Sequence, residues 1–223
     1  MRKLVFLIFV LSILLLSACQ GTTNDEGKVT IRIMAAASLT EVFNDLKEGF
    51  EVNVKNVKLE INYAGSQALY SQINSGVSAD IFASANIKYM KQLRDIDMVL
   101  DPTIFAHNKL VIVVSNETEK SIQDIKDLLK GGVKLVIADE SVPVGRYTVQ
   151  ILKKHATKPG LPTNFRDKFF TNVLSKELDV KSVVAKVELG EADAGIVYKT
   201  DVNVSNRDKV RIVDIEDRYN VTT

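Results

Sequence analysis

The chain has 223 residues, 46% of them hydrophobic, which is enough for a substantial core and for one or two domains. The formal net charge is +1 and falls to about −1 once Arg2 and Lys3 are removed, so no basic block remains to serve as a nucleic-acid surface. There is a single cysteine, Cys19, and hence no internal disulfide.

Residues 1–18 have the form of a signal peptide. Arg2 and Lys3 supply the charged start, 4–16 the apolar stretch, and Ser17-Ala18 the small residues before a cut. The apolar stretch is too short for a comfortable membrane span. Leu16-Ser17-Ala18-Cys19 resembles a lipobox, in which cleavage precedes the cysteine and that cysteine carries the lipid. Residues 19–28 then predict a lipidated N-terminus and a flexible polar tether, so the protein is exported and lipid-anchored on the extracytoplasmic face of the membrane. A lipidated Cys19 leaves no thiol for catalysis.

The mature chain alternates short apolar runs with amphipathic stretches, the pattern of an α/β fold. Residues 29–37 read as a strand that stops at Ser38, and Leu39, Val42, Phe43, Leu46 and Phe50 then recur at helical spacing. Residues 57–64 alternate as a second strand, and Gly65-Ser66-Gln67 turns into a helix through Leu69, Tyr70 and Ile73. A short strand at 80–84 and a helix from Asn86 through Tyr89, Met90 and Leu93 complete one lobe. Residues 109–115 form a β-branched strand. A helix is expected from Ser121 to the stop at Gly131-Gly132, then a strand at 133–138. Pro143-Val144-Gly145 opens the next helix, 164–174 and 180–189 read as two more, and 193–198 and 210–215 as strands. Two lobes are implied, with the chain crossing near 105–109 and again near 200–206, and a ligand held between them.

Four junctions share one chemistry. Ala37-Ser38-Leu39, Gly65-Ser66-Gln67, Pro143-Val144-Gly145 and Asp179-Val180-Lys181 each place free N–H groups at an expected helix start. Such amides carry the positive end of the helix dipole and bind anions. The three alanines before Ser38 leave no side chain between those amides and a ligand. A serine in that position equally serves to cap its own helix, and both readings of Ser38 and Ser66 stay open. Tyr198, at the end of a strand, adds a phenol. Asp80 is expected to support loop geometry, because a carboxylate facing an anion repels it. Arg146 is expected to pack or face solvent, and His107 and His155 lack metal-ligand spacing.

Ala36-Ala37-Ser38-Leu39, the Ala-Asp-Ile-Phe-Ala-Ser-Ala stretch at 79–85, Val-Pro-Val-Gly-Arg-Tyr at 142–147 and Gly-Ile-Val-Tyr-Lys-Thr-Asp at 195–201 occur in order. As a set they resemble the periplasmic molybdate-binding proteins of molybdate ABC transporters, over roughly residues 29–220. The resemblance implies a type II periplasmic-binding-protein fold: two α/β lobes, each a mostly parallel sheet flanked by helices, joined by a two-strand hinge. It assigns 29–106 and 201–223 to lobe 1 and 107–200 to lobe 2. It further implies that Ser38 and Ser66 donate hydroxyls, Val144 and Val180 donate backbone amides, and Tyr198 donates its O–H to the oxyanion, with Val144 standing where the family has alanine. Molybdenum would be held only as the oxyanion, tungstate would bind almost equally well, and no other cofactor is implied.

The expected protein is therefore a monomeric, non-enzymatic solute-binding lipoprotein that delivers molybdate to a membrane permease. The same fold binding sulfate, phosphate or another small solute is one alternative. A secreted serine hydrolase using Ser38 or Ser66 is a remote second, disfavoured because no Gly-x-Ser-x-Gly elbow is present. A lipid-anchored adhesion or structural module, which binds no small ligand, is a third. The family chain continues past the strand matching 210–215 with a further strand and a helix on the first lobe, so lobe 1 is expected to be incomplete at its C-terminus.

Overall fold

The computed structural model describes residues 27–223. The signal peptide, Cys19 and most of the tether lie outside the described residues. Among those described, no helix is long and apolar enough to cross a membrane.

The first sheet has the order β2-β1-β3, from β1 (Val29–Ala36), β2 (Val57–Ala64) and β3 (Ile81–Ala83), all parallel. Alternation along β1 sends Met34 to one face and Ile33 and Ala35 to the other. Met34 packs with Leu69, Ile73, Phe82, Tyr89 and Leu93, beneath helices α2 (Ser66–Asn74) and α3 (Ile87–Arg94). Ile33 and Ala35 pack with Leu59 and Ala83. Helix α1 (Thr40–Asn53) covers that second face only thinly. Phe43 packs on it, while Val42, Leu46 and Phe50 stay exposed, so the apolar period of α1 is only partly spent on the sheet.

The second sheet has the order β6-β5-β7-β4-β8, from β4 (Leu110–Ser115), β5 (Leu135–Ala138), β6 (Val173–Glu177), β7 (Ala194–Tyr198) and β8 (Val210–Asp214). β5 is parallel to β6 and β7, whereas β4 is antiparallel to β7 and β8. The continuous apolar run of β4 reflects burial on both faces, under helices α4 (Pro143–His155), α5 (Phe165–Thr171) and α6 (Val180–Glu188). The main core of the chain sits here.

Several sequence expectations are corrected. Residues 201–223 do not join lobe 1: β8 pairs with β4, and the second crossing expected near 200–206 is instead a 3-10 turn, Lys199–Asp201, held on lobe 2 by the Asn206 side chain on the Asp201 carbonyl. Beside the crossing, Asn108–Lys109 pairs with Thr222–Thr223, with Thr223 N–H donating to the Asn108 carbonyl at 2.9 Å, and Lys199 N–H donates to the Lys109 carbonyl at 2.9 Å. The helix expected over 164–174 stops at Thr171, and β6 begins two residues later. The helix expected from Ser121 is a short 3-10 segment, Ile125–Leu129, because the Asp127 carboxylate turns back to accept the N–H groups of Gln123 and Asp124. Asp80, expected to support loop geometry, braces the first sheet: its carboxylate accepts Arg32 N–H at 2.7 Å and its own N–H donates to the Arg32 carbonyl at 2.8 Å.

Candidate functional site

The carboxyl ends of β1, β2 and β7 and the N-termini of α2, α4 and α6 converge on the cleft between the sheets, where ligands of open α/β folds bind. A small cavity, partly open to solvent, lies there. Its small size suits a small ion rather than a drug-sized molecule. Ser38, Ser66, Val144, Val180 and Tyr198 all line it, together with Ala36, Ala37, Gly65, Ala85, Val142 and Pro143. None of these side chains carries a charge.

Ser38 sits in a 3-10 turn, Ala37–Leu39, rather than at the start of a helix proper. Neither that turn nor α1 is capped by a side chain, and Thr40 closes the junction by donating its hydroxyl to the Ala37 carbonyl at 2.7 Å. Capping is therefore not the job of Ser38, and its hydroxyl remains available to the cleft. Ser66 is the first residue of α2 and is almost fully buried; its Oγ accepts the Ala85 N–H at 3.1 Å. A hydroxyl that accepts there still has its own proton to donate. Sequence reasoning assigned Ala85 no role, yet its amide fixes the Ser66 rotor; the only signal was the 79–85 stretch as a whole.

Val144 and Val180 line the cavity from the first turns of their helices. Pro143 is the first residue of α4 and has no N–H, so the first free donor on that helix is Val144. The turn is tight: a Cβ at Gly145 would lie 2.0 Å from the Asp139 carbonyl oxygen, so only glycine lets α4 press onto the end of β5. Val180 opens α6. Its N-cap Asp179 is committed to Ser182, accepting the N–H at 2.9 Å and the hydroxyl at 2.8 Å, which leaves the Val180 amide free.

Tyr198 ends β7 and is 2% exposed, and its hydroxyl is buried without a hydrogen-bond partner among the described residues. Most buried polar groups have one, so the orphan is a specific observation. Burial, and to a lesser degree Tyr147 and Asp201, push its pKa well above that of free tyrosine, so it stays a proton donor.

Asp201, absent from the sequence reading of the site, lies beneath. It is fully buried and its carboxylate accepts Tyr198 N–H at 2.9 Å. Lys181 stands 3.7 Å from its other oxygen, an ion pair rather than a hydrogen bond. Burial raises the Asp201 pKa to about 7, against the opposing pull of Lys181 and the Tyr198 amide. A raised carboxylate pKa favours the folded state while protonated, an advantage complete below the unfolded value near 3.8 and lost as pH rises through about 7. Asp201→Asn keeps an acceptor for Tyr198 N–H and removes the ionisation. Between pH 4 and pH 8 the wild type is expected to lose stability relative to Asp201→Asn, by on the order of 2–4 kcal/mol. Urea melts at both pH values check this; parallel pH profiles for the two proteins would refute it.

The remaining candidates lie elsewhere. The Arg146 guanidinium packs over the Tyr89 ring at 5.8 Å instead of entering the cavity. His155 is buried between Phe165 and Tyr219, with Nδ1 2.9 Å from the Ile151 carbonyl oxygen. His107 lies 3.0 Å from the Thr223 carbonyl oxygen. No histidine lines the cavity with either serine, so neither serine has a general base beside it.

Two α/β lobes whose cleft presents hydroxyls and helix N-termini to a small cavity define a solute-binding protein. Residues 31–223 match the family model described as bacterial extracellular solute-binding protein, and the chain belongs to that family, among its ModA-type members. It is 35% identical over 215 residues to a putative ABC transporter substrate-binding lipoprotein, YvgL, of Bacillus subtilis, covering 94% of this chain and 78% of that one. It is 33% identical over 204 residues to the molybdate-binding protein ModA of Escherichia coli, covering 87% and 74%. It spans 63% of the length of the Mycobacterium tuberculosis molybdate-binding protein ModA, at 36% identity over 177 residues and 79% of this chain. Among solved structures, the substrate binding domain of a putative molybdenum ABC transporter from Clostridium difficile superposes with a TM-score of 0.60 at 32% identity, covering 87% and 82%. The sulfate-binding protein SubI of Mycobacterium tuberculosis superposes with a TM-score of 0.71 at 16% identity, covering 84% and 71%, which speaks for the fold alone.

Proposed function

We propose that the protein captures molybdate, and tungstate with it, between its lobes and passes the anion to the permease of an ABC transporter. The observation that carries this reading is a small uncharged cavity onto which two serines, Tyr198 and three helix starts open, with the Tyr198 hydroxyl buried and without a partner among the described residues. Ser38 and Ser66 would supply hydroxyls, Val144 and Val180 backbone amides, and Tyr198 its phenol. The partial positive charges of three helix N-termini stand in for a counter-ion. Molybdate near neutral pH offers acceptors only, and such a wall satisfies it. Hydrogenphosphate brings a proton that needs an acceptor, and leaving it unpaired costs about 1–3 kcal/mol. The names of the relatives support the same ligand. Lipid anchoring through Cys19, an extracytoplasmic location and action as a monomer complete the reading, supported by the lipobox-like sequence and by the relative named as a lipoprotein.

Thermal melting of the purified protein tests it, with molybdate, tungstate, sulfate and phosphate each titrated in. A ligand that binds only the native state stabilises it by about 2.7 kcal/mol at a hundred times its dissociation constant. Molybdate and tungstate are expected to shift the melt. A shift with sulfate or phosphate alone would replace the ligand and keep the class.

A further inference from the structure

The two backbone donors of the second lobe have something in common. Each follows a loop gripped by a side chain from the first lobe. Gln67, next to Ser66 on α2, donates from Nε2 to the Leu178 carbonyl at 2.6 Å. Leu178 is two residues before Val180. Tyr89, buried on α3, donates its hydroxyl to the Ser141 carbonyl. Ser141 is three residues before Val144. The Tyr89 ring is itself packed, 5.5 Å from the Tyr70 ring centre and beneath the Arg146 guanidinium, which also donates to the Tyr89 hydroxyl at 3.5 Å. Neither Gln67 nor Tyr89 lines the cavity.

We propose that Gln67 and Tyr89 are positioning residues for anion capture, each locking the loop that leads into one second-lobe amide donor when the lobes close. The proposal rests on the reading of the cleft as an oxyanion site. A hydrogen bond made only between closed lobes adds to the stability of the closed state and not of the open one. It therefore raises the closed population, and apparent affinity scales with that population. The bonds also act at the right places. With Leu178 and Ser141 held, the Val180 and Val144 amides share one frame with Ser66, the neighbour of Gln67. Neither bond is needed to fold a lobe, because each partner belongs to a different sheet.

The test uses Gln67→Met and Tyr89→Phe, which keep size and remove the donor, and molybdate as the probe. Calorimetry gives the dissociation constant, stopped-flow the dissociation rate, and melting without anion the stability. Each variant is expected to weaken molybdate binding about three- to tenfold, the double variant about ten- to a hundredfold, through faster dissociation. Anion-free melting should stay within a degree or two of wild type. Wild-type dissociation rates in both variants would overturn the proposal. So would a lowered anion-free melt with an unchanged dissociation rate, which marks a purely structural role. A wild-type protein that binds none of the oxyanions overturns the site reading itself, and this proposal with it.

Discussion

Gly65→Ala is expected to leave the protein folded and to remove most of its capacity to close on a ligand. Gly65 has φ −58° and ψ 139°, a conformation any residue adopts, so alanine meets no backbone strain there. What it meets is the other lobe. A Cβ at this position would lie 2.5 Å from the Leu178 carbonyl oxygen and equally close to both terminal atoms of the Gln67 amide. The Gln67 side chain can swing away, at the cost of its bond to Leu178. The Leu178 carbonyl is backbone, fixed at the mouth of α6, and yields only if the lobes part. Overpacking of this kind costs about 1–3 kcal/mol, and the lost interlobe bond adds to it, so molybdate affinity should fall on the order of a hundredfold. The anion-free melt should barely change. Affinity within threefold of wild type would show that the lobes close on a geometry different from the one described.

The same residue shows what the sequence makes legible. Strand-to-helix junctions are visible because an apolar run stops at small or hydroxyl residues, and such junctions lie at the carboxyl edge of a sheet whatever surrounds them. Hence Ser38 and Ser66 stand out as hydroxyls at such junctions, Val144 and Val180 as amides of expected helix starts and Tyr198 as a strand end, and the fold brings all five to one cavity. The glycine at 65 was legible as a turn but not as a point of contact between lobes, because its neighbour Leu178 is more than a hundred residues away. The Gln67–Leu178 bond spans 111 positions and no local pattern announces it. Asp201 was invisible as a buried group for a related reason: its burial comes from packing beneath β7, and its partner Lys181 comes from a different element.

The misread elements fail for physical reasons of their own. β6 turns its more polar side chains inward, with Ser175 donating to Glu177 at 2.6 Å and Lys186 paired to the same carboxylate, while Leu174 faces solvent. Its apolar residues therefore extend the pattern of the helix before it instead of marking a strand. β8 is legible as a strand, but a strand sequence does not name its neighbour, and its lobe is set by pairing alone. Its antiparallel pairing with β4, and the Arg211 guanidinium on the Ile122 carbonyl at 2.9 Å, tie it to the second sheet.

The second large effect separates stability from function at the site itself. The double variant Ser38→Ala, Tyr198→Phe is expected to bind molybdate about 10²- to 10⁴-fold more weakly than wild type. Hydrogen bonds to a charged group contribute about 1.5–3 kcal/mol each, so losing two removes about 3–6 kcal/mol of binding free energy. Stability should move the other way. The Tyr198 hydroxyl is buried with no partner among the described residues, a state that costs about 1–3 kcal/mol, and phenylalanine fills the same space without that cost. Ser38 caps no helix, so its removal gives up no local bond. Without anion the double variant should therefore melt at or above the wild-type temperature. Calorimetry with molybdate and anion-free melting, on the same protein preparations, measure both halves. Lower stability with retained affinity would mean that Tyr198 is an ordinary core residue and that the donors lie elsewhere in the cleft.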